Sequence, residues 1–287
     1  MTAVEVVSPG PLTTIQDLGR PGWAHIGVPR SGAADRRALR TANNLAGNHP
    51  GAAALETTLV GPKLRFDAPT VIALTGAPVN ATLSGAPVPM HTSVDAAAGD
   101  LLVVGTATSG LRTYIALGGG ILAPTTLGSA ATDLLTGLGP ARVARGDVLT
   151  LGGAEPPAFT SVSPPNNRGS APTLQVVLGP RDDWFTPAAI EQLTTATFTV
   201  SPASNRIGVR LDGPALERAR TDELRSEGIA LGSIQVPPDG QPILLLADHP
   251  TTGGYPVIAV LSDPELSVAA QLRPGQQVRF TAVARDG

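Results

Sequence analysis

Leu174-Gln175-Val176-Val177-Leu178-Gly179-Pro180 places four apolar residues in a run of five and then stops on a Gly-Pro turn. Its length, β-branching and abrupt end read as a β-strand. The same pattern recurs at Val4-Glu5-Val6-Val7, Val71-Ile72-Ala73-Leu74, Leu101-Leu102-Val103-Val104, Tyr114-Ile115-Ala116-Leu117, Val148-Leu149-Thr150-Leu151, Ile243-Leu244-Leu245-Leu246, Val257-Ile258-Ala259-Val260 and Val278-Arg279-Phe280. The 33 Gly and 28 Pro fall between such runs in a chain that is 42% hydrophobic, so they punctuate strands rather than mark disorder. Three segments read as helices: Asp35 to Gly47, with Leu39, Ala42, Leu45 and Ala46 on one face, and the shorter Pro187 to Leu193 and Pro214 to Ala219, each with Pro near its first turn. The expected fold is therefore mainly β, with few short helices.

The opening strand has an echo in the first half. Val6-Val7-Ser8-Pro9 matches Val176-Val177-Leu178-Gly179-Pro180, Ile26-Gly27-Val28 up to Gly32 matches Ile207-Gly208-Val209 up to Gly213, and a central strand and a turn-fed strand follow in both. This pattern suggests duplication of one β-rich unit, with a cleft between two related barrels as a place for a ligand. The Pro-, Ser- and Asn-rich stretch 155–172 separates the halves as a linker, giving domains over 1–154 and 173–287.

Composition narrows the chemistry. With 20 basic against 23 acidic residues the net charge is −3, which argues against a nucleic-acid or anionic-membrane partner. The start of the chain lacks a signal-peptide pattern, and no apolar run approaches the ~20 residues of a membrane span, so the expected location is cytoplasmic. There is no Cys, the 4 His are scattered, and no metal-ligand spacing is present. Lys63 is the only lysine. This excludes a phosphate-binding loop of the GxxxxGK[ST] type and covalent biotin on this chain, and leaves anions to arginine or backbone N–H groups.

Two polar constellations could carry chemistry. In the first, Gln16-Asp17-Leu18-Gly19-Arg20 leads to Gly27-Val28-Pro29-Arg30-Ser31-Gly32-Ala33-Ala34-Asp35. Arg20, between glycines, offers a planar fork for a carboxylate or phosphate; alternatively it pairs with Asp17 or Asp35 in a purely structural turn. In the second, Asn205-Arg206 precedes Ser226-Glu227-Gly228, Ile234-Gln235-Val236-Pro237 and Asp248-His249-Pro250-Thr251-Thr252-Gly253-Gly254-Tyr255-Pro256. The paired glycines could supply N–H donors to an oxyanion and Asp248 could orient a base; alternatively the stretch is a hairpin with satisfied turn amides. Gly118-Gly119-Gly120 reads as a turn or bulge rather than a phosphate loop.

These motifs, with Ala42-Asn43, Leu55-Glu56 and Leu127-Gly128-Ser129, resemble in order and over nearly the whole chain the biotin-dependent carboxyltransferase-like family, which includes KipA, the C subunit of 5-oxoprolinase, and allophanate hydrolase subunit 2. The resemblance implies cyclophilin-like β-barrels for both domains, related by internal duplication. It implies work on N–C(=O) groups as the C subunit of an ATP-dependent 5-oxoprolinase, with a KipI-like B subunit, and with a further A subunit. The alternatives are a carboxyltransferase acting on urea or a similar amide, with biotin carried on another protein, and a non-enzymatic KipA-type antagonist of a KipI-like kinase inhibitor. ATP, with or without Mg, would bind on this chain or at a partner interface. In the lactam-opening reading the anion- and substrate-binding candidates are Gln16, Arg20, Arg206, Gln235, Thr252, Gly253, Gly254 and Tyr255, and the catalytic carboxylates are drawn from Asp35, Glu227 and Asp248, with no protein metal site. Where the family has Gly-Ser-Arg-Ser-Thr, this chain reads Gly128-Ser129-Ala130-Ala131-Thr132, which removes an arginine from that loop.

Overall fold

The structure, a computed structural model, describes residues 2–153, 155–164 and 169–284. It forms two compact units, one of Met1–Arg20 with Ser31–Pro165 and one of Pro21–Arg30 with Asn166–Gly287. The stretch read as a linker, 155–172, lies partly outside the described residues; within it, Ser93 N donates to Thr160 O and Val162 N to His91 O.

The first unit runs β1 (Ala3–Ser8), β2 (Thr13–Gln16), α1 (Arg36–Leu45), β3 (Ala54–Thr58), β4 (Lys63–Phe66), β5 (Thr70–Gly76), β6 (Val79–Leu83), β7 (Ala86–Val88), β8 (Ser93–Ala96), β9 (Leu101–Ala107), β10 (Arg112–Leu117) and β11 (Val148–Thr150). Two antiparallel sheets result, ordered β11-β1-β4-β9-β6-β7 and β2-β3-β10-β5-β8. Strand alternation explains their stacking. On β10, Ile115 and Leu117 join Val4, Leu64, Phe66 and Leu102 in one core, whereas Tyr114 and Ala116 join Leu39, Ala42 and Leu45 of α1 in another. The five-stranded sheet is thus a middle layer, buried on both faces, which is why β10 reads as a continuous apolar run.

In the second unit β12 (Thr173–Leu178), α2 (Pro187–Thr195), β13 (Phe198–Val200), β14 (Gly208–Asp212), β15 (Glu227–Gly228), β16 (Ser233–Gln235), β17 (Ile243–Leu245), β18 (Thr252–Gly253), β19 (Val257–Leu261), α3 (Asp263–Ala269) and β20 (Gln277–Ala282) follow. Seven of these strands close a barrel in the order β12-β19-β16-β17-β14-β13-β20, sealed by parallel pairing of β12 with β20. Alternate residues Leu174, Val176, Val278 and Phe280 fill its interior, with the Phe280 ring tilted against Phe198 at a centroid distance of 5.9 Å.

The mainly β expectation holds, and each apolar run quoted above lies on a strand to within one residue of its end. Two local readings are corrected. Pro214 to Ala219 is not a helix: Leu216 N donates to Gly240 O, Ala219 N donates to Trp184 O, and Glu217 O accepts from Thr186 N. Its backbone groups are used by neighbouring segments, so they cannot close on each other in helical turns. The aligned Ile-Gly-Val triplets also differ, since Ala24–Ile26 is a 3-10 turn ended by Gly27 at φ 80°, whereas Gly208 and Val209 lie in β14. An unforeseen helix, α3, carries the start signals Ser262 at its N-cap and Pro264 in its first turn.

Phe280→Ala is expected to cost ~3–5 kcal/mol of stability, because the barrel cannot collapse onto the vacated volume. Urea denaturation followed by far-UV circular dichroism measures it; a loss under about 1 kcal/mol would show that the ring is not a closing element of the barrel.

Candidate functional site

In the first unit β2 ends at Gln16 and the chain turns through Asp17 to Arg20. Asp17 organises that turn, accepting from Gly19 N and Ser129 Oγ on Oδ1 and from Ala130 N on Oδ2, each at 2.7 Å. Arg20 is fully enclosed. Its Nη2 donates to Ala131 O at 2.5 Å and its Nε to Thr126 O at 3.4 Å, while Nη1 stands 3.8 Å from Asp133 Oδ2. The carboxylate facing Arg20 is thus Asp133, rather than Asp17 or Asp35, because the 126–133 loop supplies the arginine with acceptors. Gln16 Nε2 ties the same loop at Thr132 O, 2.8 Å away. Gln16 Oε1, Arg20 Nη1 and Thr132 Oγ1 are buried without a hydrogen-bond partner among the described residues.

Asp35 caps α1, its Oδ1 accepting from Ala38 N at 3.0 Å. Its own N–H donates to the Tyr114 hydroxyl at 2.7 Å, and that hydroxyl donates to Glu56 Oε2 at 2.6 Å. Glu56 also accepts from Ala34 N and faces Arg112 Nε at 3.6 Å. Burial, followed by the negative charges of Glu56 and Asp35, pushes the Tyr114 phenol well above its usual range. The cluster anchors α1 on the sheet below it.

In the second unit Arg206 and Asp248 form a two-point pair, Nε to Oδ2 at 2.9 Å and Nη2 to Oδ1 at 3.0 Å, with both side chains almost wholly buried. Both oxygens of Asp248 are engaged, so this fork and this carboxylate answer each other. Glu227 is placed differently. It lies on β15, opposite Gly253 of β18 in a two-stranded ladder. Arg181 Nε and Nη2 donate to Glu227 Oε2 at 3.0 and 2.6 Å, leaving Oε1 buried with no partner among the described residues. A Cβ built on Gly253 would stand 2.6 Å from Ile229 Cδ1 and 3.0 Å from Gln235 Nε2, so a larger residue there would have to displace the ends of those two side chains. Gln235 Nε2 in turn donates to Tyr255 O at 3.2 Å, and Tyr255 is 45% exposed. Glu227, Gln235 and the Thr252-Gly253-Gly254-Tyr255 backbone therefore form one strip with a half-exposed face.

Among the described residues no group of three or more His, Asp or Glu stands close enough to hold a metal ion. Gly118-Gly119-Gly120 is a turn: Gly120 N donates to Leu117 O, and Gly119 N to Asn48 Oδ1.

The family model described as carboxyltransferase domain, subdomain A and B, matches residues 26–282. The chain belongs to this family. Among its relatives, the C subunit of 5-oxoprolinase from Escherichia coli is 36% identical over 284 residues, covering 96% of this chain and 90% of the relative. Urea amidolyase of Lachancea kluyveri is also 36% identical, over 98% of this chain but 17% of its own length. The crystal structure of the Kluyveromyces lactis urea amidolyase superposes on 98% of this chain and 19% of that one, with a TM-score of 0.91 and 34% identity. The chain thus spans about a fifth of the urea amidolyases it matches and nearly all of the 5-oxoprolinase relative.

Within this carboxyltransferase-family chain, the residues singled out in the sequence separate into three groups: Gln16 with Arg20, Asp35 at the cap of α1, and the second-unit set. Within that set, Glu227, Gln235, Thr252, Gly253, Gly254 and Tyr255 come together, while Arg206 and Asp248 close on each other. Sequence reasoning did not single out Arg181, Tyr114 or Arg112, since none sits in a motif and each is identified only by the carboxylate opposite it.

Stability is expected to fall as pH rises past the ordinary tyrosine value of about 10. There the unfolded chain releases a proton that the buried Tyr114 phenol retains. Tyr114→Phe should flatten that part of the profile and cost ~1–3 kcal/mol at pH 7 through the lost hydrogen bonds. Urea midpoints of both proteins between pH 7 and 11 check this; identical slopes would show that Tyr114 titrates normally.

Proposed function

We propose that this chain is the C subunit of an ATP-dependent 5-oxoprolinase, opening the lactam of 5-oxoproline to glutamate together with a KipI-like B subunit, and with a further A subunit. The observation that carries the reading is near end-to-end similarity to the corresponding 5-oxoprolinase component, against a match to only a small part of each urea amidolyase. ATP would supply the phosphoryl group that activates the lactam oxygen; with Lys63 the only lysine and no phosphate-binding loop of the GxxxxGK[ST] type, it would be held by arginine or backbone N–H groups, on this chain or at a partner interface. Water then adds to the ring carbon and gives up its proton, the C–N bond breaks as the ring nitrogen takes up a proton, and a second water hydrolyses the resulting acyl phosphate to glutamate and inorganic phosphate.

Of the three candidate carboxylates, Glu227 suits the water step. Asp248 has both oxygens on Arg206, and Asp35 is committed to its helix cap. Glu227 is oriented by Arg181 through one oxygen and keeps the other for a proton. The Thr252-Gly253-Gly254 backbone and Gln235 beside it would face the oxygen on which charge develops. In this reading Arg20 holds the 126–133 loop in shape and does not clamp an anion. A second reading, carboxyl transfer to urea or a similar amide from biotin carried on another protein, draws on the family match and the urea amidolyase superposition.

The test is ATP-dependent glutamate release from 5-oxoproline by the chain assembled with its partner subunits. Glu227→Gln is expected to lower kcat by ~10²–10⁴ while leaving assembly intact. A rate that requires a biotin carrier and bicarbonate would replace the hydrolytic reading with the carboxyltransferase one. Tight binding to a KipI-like protein without turnover by the full set would favour the KipA-type role.

A further inference from the structure

A guanidinium taken out of water calls for an anion or carbonyl acceptors, and several arginines of this chain have a carboxylate opposite. Arg20 faces Asp133, Arg112 faces Glu56, Arg181 faces Glu227, Arg206 faces Asp248 and Arg220 faces Asp222. Arg218 departs from the pattern. It is half-buried, its Nη2 donates to Val236 O, and its Nε is buried with no hydrogen-bond partner among the described residues. It makes no ion pair there either; the nearby groups with which it interacts electrostatically are the Tyr255 phenol and Asp239.

Its position is fixed by backbone. Phe185 and Arg218 form a β-bridge, Ala219 N donates to Trp184 O, Glu217 O accepts from Thr186 N, and Leu216 is buried beneath. The side chain is thus launched from a braced segment, and its anchor, Val236 O, directly follows Gln235 in the strip that holds Tyr255, Gly253 and Glu227. A cation beside this strip, partly removed from water and with no ion pair among the described residues, carries a desolvation cost that an incoming anion would relieve. A planar fork suits a carboxylate or a phosphate.

Taken with the lactam reaction proposed above, on which this identification of the ligand rests, we infer that Arg218 binds the substrate's carboxylate, so that the site selects a cyclic amide bearing an acid group. Tyr255 lines the same subsite. Arg218 has no part in the proton transfers; it sets where the ring lies relative to Glu227.

The experiment compares wild type, Arg218→Lys and Arg218→Met in the assembled complex, using 5-oxoproline and 2-pyrrolidinone, the same lactam without its carboxylate. Arg218→Met is expected to raise KM for 5-oxoproline by about tenfold or more with kcat changed far less, Arg218→Lys to recover part of that loss, and the slow rate with 2-pyrrolidinone to be the same in all three. Equal KM values in all three proteins, or equal losses with both lactams, would overturn the inference and leave the 5-oxoprolinase reading standing. If the wild-type complex does not turn over 5-oxoproline, that reading fails, and the carboxylate site is judged on the free chain. The Nε–Hε nuclear magnetic resonance signal of Arg218, assigned by its disappearance in Arg218→Lys, is expected to shift on titration with 5-oxoproline and stay still with 2-pyrrolidinone. A signal unmoved by both, or moved equally by both, would refute carboxylate binding. Unfolding midpoints of the variants guard against loss of fold, since Arg218→Met also removes the bond to Val236 O.

Discussion

A guanidinium taken out of water must be met by carboxylates or carbonyls, and much of this molecule's loop structure hangs from that requirement. Arg20 gathers Thr126 O, Ala131 O and Asp133, and thereby shapes a long loop that contributes little regular structure of its own. Arg112 meets Glu56 beneath the start of α1, and Arg206 meets Asp248 where β17 gives way to the loop leading to β18. In a chain with a single lysine, these contacts are two-pronged where the geometry allows, and they set loop shapes that the strands alone would leave undetermined. The same requirement sorts structural from reactive groups. Arg206 and Asp248 satisfy each other, whereas Glu227 keeps one oxygen without a partner among the described residues.

That distinction moves the candidate chemistry into one strip of the second unit. Glu227 and Gly253 come together because two very short strands pair, and Gln235, whose Nε2 lies close to Gly253, reaches Tyr255 O. Relatives with different names, a urea amidolyase and a 5-oxoprolinase subunit, match this chain over nearly its whole length, so the shared fold does not by itself choose between them.

The strands were legible because burial on one or both faces leaves an apolar run or an alternation that survives in sequence, and α1 was legible because Asp35 marks its start. β15 and β18 were not, since a two-residue ladder has no periodicity to detect. Pro214 to Ala219 carried a helix-start signal that was outweighed by backbone bonds to Trp184, Thr186 and Gly240, contacts remote in sequence. Within the site, the residue types were legible but their pairings were not. Arg20 and Arg206 look like equivalent anion clamps in sequence; only the fold shows each enclosed by its own acceptors, and only the fold leaves Arg218 without a carboxylate of its own.

The central claim is that substrate occupies the Glu227–Gly253–Tyr255 strip of the second unit. A crystal structure of the chain soaked with 5-oxoproline tests it most directly. The expected density lies against Gln235, Gly253 and Tyr255, with the lactam toward Glu227. Ordered ligand at Arg20 or Asp35 instead, with the strip empty at saturating concentration, would contradict the account.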